Sequence, residues 1–157
     1  MNLFPPTVVI RHRRENLKKC SLRGLESRED FIFLSYPYTA LPDLRNYILL
    51  TIDAPPLTPL DASLGLLVLD ATWRLADKMY RSLPSHLFLY RSLPSHYRTA
   101  YPRRQEDCPD PTRGLASVEA IYLSYYLLQR DVSGLLDGYY WKEEFLKTNN
   151  NLSFGFF

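Results

Sequence analysis

Long apolar runs are missing from this 157-residue chain, and none approaches the roughly 18 residues that a membrane-spanning helix needs. That argues against a helical membrane protein and against a membrane partner. The first residues, MNLFPPTVVIRHRREN, place prolines and then charges where a secretory signal would have an apolar core, so a cytoplasmic protein is expected. Cysteine is scarce. Cys20 and Cys108 lack CxxC spacing, are too few for a disulfide framework and, with three scattered histidines, do not compose a zinc site, so no metal is expected.

What the chain does contain is 46% hydrophobic and 14% aromatic residues, enough to bury a core in one domain or in two closely packed halves. The net charge of +2 hides an uneven distribution. Six basic residues and one acid, Glu15, lie between Arg11 and Arg23, and seven basic residues against Asp77 lie between Arg74 and Arg104. Blocks of this kind suit a phosphate-backbone partner, because each Lys or Arg that neutralises a phosphate releases counterions. They also suit ordinary solvated faces, and composition leaves both open.

Thr7 to Ile10, Phe31 to Tyr36 and Tyr47 to Asp53 read as short strands. Thr58, Pro59 and Asp61 have the spacing of an N-cap, a proline at the first helical position and an acid in the first turn, which predicts a short helix. LGLLVLD, Leu64 to Asp70, is apolar without alternation, as in a central strand covered on both faces. ATWRLADKMYRSL then has helical spacing, with Trp73, Ala76, Met79 and Tyr80 on one face. HLFLY and HYRTAY are two more strand candidates. LASVEAIYLSYYLLQRD predicts a buried helix capped by Ser117 with Glu119 near its positive end, and WKEEFLKTNN a short amphipathic one. Strands alternating with helices predict an α/β layer structure with a largely parallel sheet.

The heptad YRSLPSH occurs twice, at Tyr80 to His86 and at Tyr90 to His96. Both copies are expected to supply the same punctuation, a helix end or turn set by Leu-Pro and then a serine and histidine that lead into a strand. That would bring Arg81, Arg91 and Arg98 to neighbouring strand ends. Two copies are too few for a solenoid.

Ligands of open α/β sheets bind at the carboxyl ends of the strands. Asp70 stands at such an end, followed by Thr72 and Trp73. A carboxylate beside a helix N-terminus is stabilised in its charged form, and an indole offers a flat apolar surface. Asp70 as a simple cap and Trp73 as a core residue fit the same letters.

LTPLDASLGLLVLDATW resembles a family segment that runs L-[ST]-P-x-D, a spacer, then G-[LI]-x-V-x-D-x-[ST]-W. ENLKKCSLRGL, RSLPSHYRTAYP, GLASVEAIYLSYYL and YYWKEEFLKTNN follow the remaining motifs of that family in order, from about Glu15 to Asn149. The chain thereby resembles the aminocarboxypropyltransferases that modify small-subunit ribosomal RNA, relatives of the DTW-domain enzymes acting on tRNA. Leu22 and Lys142 stand where that family has glycines, and RRQEDCPDPTRG replaces its N-Y-G.

The resemblance implies a SPOUT-like fold, with a small N-terminal α/β RNA-binding half over 1–60 and a trefoil-knotted cofactor half over 61–157. It implies S-adenosylmethionine as cofactor and transfer of its 3-amino-3-carboxypropyl group to a uridine or pseudouridine during ribosome biogenesis. Asp70 would be the proton acceptor or a ligand of the cofactor's amino group. Ser21, Leu69, Thr72, Trp73, Tyr97 and Ser117 would contact the cofactor, and Arg11, Arg13, Arg14, Lys18, Lys19, Arg103 and Arg104 would hold RNA. A monomer is expected. A tRNA substrate, or an RNA-binding assembly factor without catalysis, are the alternatives.

Overall fold

A computed structural model describes residues 4–13, 21–37, 40–51, 53–71, 73–84, 89–101 and 114–150. The strands are β1 (Thr7–His12), β2 (Phe31–Tyr36), β3 (Tyr47–Leu50), β4 (Gly65–Asp70) and β5 (Leu89–Arg91), and the helices are α1 (Trp73–Ser82), α2 (Ser117–Leu127) and α3 (Lys142–Thr148). All strand pairings within the sheet are parallel, in the order β2-β1-β4-β3-β5. The expected α/β class with a parallel sheet is therefore what the chain forms. β4 sits between β1 and β3, so strands from both sides of residue 60 share one sheet.

Alternation along β1 and β4 shows why their sequences are apolar throughout. Val9, Leu66 and Val68 point to one face, where they join Ile121, Tyr125 and Phe145 of the helices α2 and α3. Val8, Ile10 and Leu67 point to the other, against Met79 and Leu83 of the α1 region. Successive side chains of a strand face opposite ways, so a strand covered on both sides needs an apolar residue at every position. Thr58 and Asp61 form the expected cap around a 3-10 turn at Pro59–Asp61, with each side chain bonded to the other's backbone region.

Two sequence expectations are corrected. His96 to Tyr101 forms no strand, because its backbone is held by side chains instead of by a neighbouring strand. The heptad copies also differ. The first ends α1, with Arg81 paired to Asp77 on the helix surface. The second begins in β5, where Arg91 meets Asp61 at 3.2 Å and Ser92 donates to the Ala54 carbonyl at 2.7 Å. The same three letters are thus helical at Tyr80–Ser82 and form strand and bridge at Tyr90–Ser92, since tertiary partners outweigh local propensity at this length.

At the amino ends of the strands, the Tyr125 hydroxyl lies 2.7 Å from the Thr7 hydroxyl and beneath a hollow of about 560 Å³ lined in part by Phe4, Arg28 and Arg130. Arg130 Nη2 donates to the Ala62 and Leu64 carbonyls, and its guanidinium stacks 3.8 Å over Phe4. Burial pushes the Tyr125 hydroxyl up to about 12. Unfolded tyrosine ionises near pH 10, so the Tyr125 contribution is complete below about pH 10 and is lost as pH rises through the folded value. Tyr125→Phe is expected to cost about 1–2 kcal/mol at neutral pH, by leaving the Thr7 hydroxyl unpaired. It should also flatten the fall in stability between about pH 10 and 12. Urea unfolding across that range checks both, and an unchanged alkaline slope in the variant would count against the assignment.

Candidate active site at the carboxyl ends of β1 and β4

Parallel pairing of β1 with β4 sets Arg11 opposite Asp70. Arg11 Nε donates to Asp70 Oδ2 at 3.1 Å, and Ser117, the first residue of α2, donates from Oγ to Oδ1 at 2.8 Å. Asp70 is 5% exposed. The Arg11 guanidinium also reaches Glu26 at 3.3 Å and lies 4.9 Å from the centre of the Phe33 ring. Burial works against the charge on Glu26, but backbone N–H groups and Arg11 outweigh it and hold this carboxyl below its usual range.

Ser21 belongs to the same corner. Its Oγ accepts from the Val118 backbone N–H at 3.2 Å and so satisfies one of the donors that the first turn of α2 leaves unpaired. The capping position of α2 is Ala116, not the expected Ser117, whose hydroxyl is used on Asp70. Glu119 completes the turn by accepting from the Ala116 N–H at 2.7 Å.

The expected site residues divide as follows. Asp70, Ser21 and Ser117 come together directly. Leu69 precedes Asp70 and packs on the α1 side of the sheet. Tyr97 is buried in the α2-side core, where burial raises its hydroxyl, in a segment that Glu119 ties to the start of α2. Trp73 opens α1, and its side chain lies outside the described residues, as do Thr72, Arg14, Lys18, Lys19, Arg103 and Arg104. Arg13 is exposed at the end of β1. Arg11, expected among the RNA contacts, is directed at Asp70, with its side chain only 12% exposed.

Asn149 escaped the sequence reading, and Glu119 was expected only as an acid near the positive end of α2. Glu119 is fully buried and accepts four hydrogen bonds, from Thr99 Oγ1 (2.6 Å), Ala116 N (2.7 Å), Ala100 N (2.8 Å) and the Tyr139 hydroxyl (2.9 Å). Asn149 clamps Arg98 by accepting from its N–H and donating to its carbonyl, both at 2.9 Å. A signal for Glu119 was present, since it is the single charge in a helix otherwise made of apolar and uncharged residues, and a buried carboxylate requires donors.

No family model matches the chain, and no curated protein does. Among solved structures it is similar to that of the SAM-dependent rRNA acp-transferase Tsr3 from Vulcanisaeta distributa, with 22% identity over 94% of this chain and 81% of that one. The TM-score of 0.70 shows that the two chains share a fold.

Proposed function

We propose that the protein transfers the 3-amino-3-carboxypropyl group from S-adenosylmethionine to a uridine or pseudouridine of small-subunit ribosomal RNA. The observation that carries this reading is the fixed carboxylate at the end of the central strand. Asp70 is held between Arg11 and Ser117 at the first turn of α2, within a fold shared with a solved acp-transferase. The trefoil knot and the division near residue 60 belong to the same reading.

The donor set suits the cofactor. An anion, serine hydroxyls and a helix start give partners for an ammonium, a carboxylate and ribose hydroxyls. Bound there, S-adenosylmethionine would supply a carbon made electrophilic by an adjacent sulfonium. Asp70 and Ser117 would hold its methionine end, and Ser21, Leu69, Thr72, Trp73 and Tyr97 would line the remainder. The chain's own task is then to fix the uridine nitrogen in line with that carbon and to assist loss of the imide proton. Both Asp70 oxygens already accept hydrogen bonds, one from a guanidinium. A fixed anion of this kind suits an ammonium ligand better than a proton in transit. Arg13, Arg14, Lys18, Lys19, Arg103 and Arg104 are proposed to meet the RNA backbone, as sequence-independent phosphate contacts.

The experiment is calorimetry of the full chain with S-adenosylmethionine, followed by nucleoside analysis of small-subunit RNA and tRNA incubated with both. Binding heat and an aminocarboxypropylated uridine in the ribosomal RNA are expected. Modification of tRNA alone would move the substrate, and absence of binding would leave an RNA-binding assembly factor.

A further inference from the structure

We infer that Glu119 is the positioning residue that shapes the Tyr97–Tyr101 wall of the site, and that only a carboxylate of this length can do so. The role in cofactor binding rests on the proposed function, whereas the shaping of the segment does not.

Glu119 joins three pieces of chain that have no strand pairing with one another. Oε1 accepts from Ala116 N, which fixes the capping position just before Ser117, and from the Thr99 hydroxyl. Oε2 accepts from Ala100 N and from the Tyr139 hydroxyl. Tyr101 N in turn donates to Thr99 Oγ1 at 3.0 Å, so the position of one carboxylate sets residues 99–101, while Asn149 holds Arg98 before them. The same carboxylate places Ser117, whose hydroxyl orients Asp70.

Each oxygen receives one backbone N–H, and a backbone N–H can only donate. Thr99 and Tyr139 can turn their hydroxyls, but Ala100 and Ala116 cannot. Glutamine is therefore no substitute. Whichever way its amide is turned, the NH2 group faces a backbone N–H, leaving two donors opposed in a site with no exposed surface. Aspartate is shorter by one methylene and cannot reach both segments at once.

The test compares Glu119→Gln with Tyr139→Phe and Thr99→Val in the full chain. Amide hydrogen exchange is the first readout, because it needs no cofactor. In Glu119→Gln, exchange is expected to rise by about tenfold or more at whichever of Ala100 and Ala116 the amide NH2 faces, while β1 and β4 keep their protection. The two hydroxyl-deleting variants should stay within about threefold of the parent. Unchanged exchange at both Ala100 and Ala116 would overturn the inference, and so would protection lost uniformly across the sheet, which marks a residue of general stability. The second readout is S-adenosylmethionine affinity, expected to weaken about tenfold in Glu119→Gln. A parent protein that binds no S-adenosylmethionine would sink the proposed function, and the exchange result would still decide the positioning role.

Discussion

Arg11→Ala is expected to lower the unfolding free energy by about 3–5 kcal/mol, more than an exchange on the surface of an α/β protein normally costs. The Arg11 and Asp70 side chains are 12% and 6% exposed, so solvent screens the pair weakly. Removing the guanidinium leaves a buried carboxylate without its cation and takes a cover from Phe33. Asp70→Ala should cost less, because Arg11 keeps Glu26, which is 43% exposed on its side chain, and can lean toward solvent. The double variant should cost less than the two single changes together, with a coupling of about 1–3 kcal/mol. Urea unfolding of the four proteins measures the cycle. Additive losses would show that the two residues do not act as a pair, and the account of a rigidly held Asp70 would fail with them.

The same cycle separates two roles for Arg11. A phosphate contact would change the salt dependence of RNA binding and leave stability alone. The geometry assigns Arg11 to Asp70, so its loss should appear chiefly in the unfolding curve.

Much of the fold was legible because it rests on short-range patterns. β1, β2 and β4 were visible as apolar runs, and the Thr58 to Asp61 turn as a capping sequence. Asp70 was visible as the charge that ends the innermost run. Its partner was not, because Arg11 reads as one more member of a basic block until the β1 and β4 register sets it opposite the carboxylate. HYRTAY misled for a related reason. Its alternating aromatics imitate a strand, but its backbone partners are side chains 19 and 51 residues away, Glu119 and Asn149. Side-chain pairing at that separation leaves no periodic trace in a sequence. The heptad misled because identical letters suggest identical structures.

Excising ten residues, Tyr80 to Leu89, which restores a single heptad, is expected to unfold the protein or to leave it only marginally stable. The surviving copy would have to serve in two places. As the end of α1 it must cover the sheet beside Met79, where the first copy supplies the buried Leu83. As β5 it must pair with β3, place Arg91 on Asp61 and set Ser92 between Ala54 and Leu57. A helix axis lies roughly 10 Å from the layer it covers, whereas adjacent Cα atoms are about 3.8 Å apart, so Met79 joined directly to Tyr90 cannot reach both positions. Giving up the Leu83 burial removes about 2 kcal/mol. Giving up the β5 pairing removes several hydrogen bonds at about 1 kcal/mol each, together with the buried Arg91 contact. The sum approaches the total of about 5–15 kcal/mol that holds a typical domain together. Circular dichroism and urea unfolding of the deletion check the expectation. A cooperative transition at the parent midpoint would show that β5 and the α1 end contribute nothing, and that the duplication is a dispensable insertion.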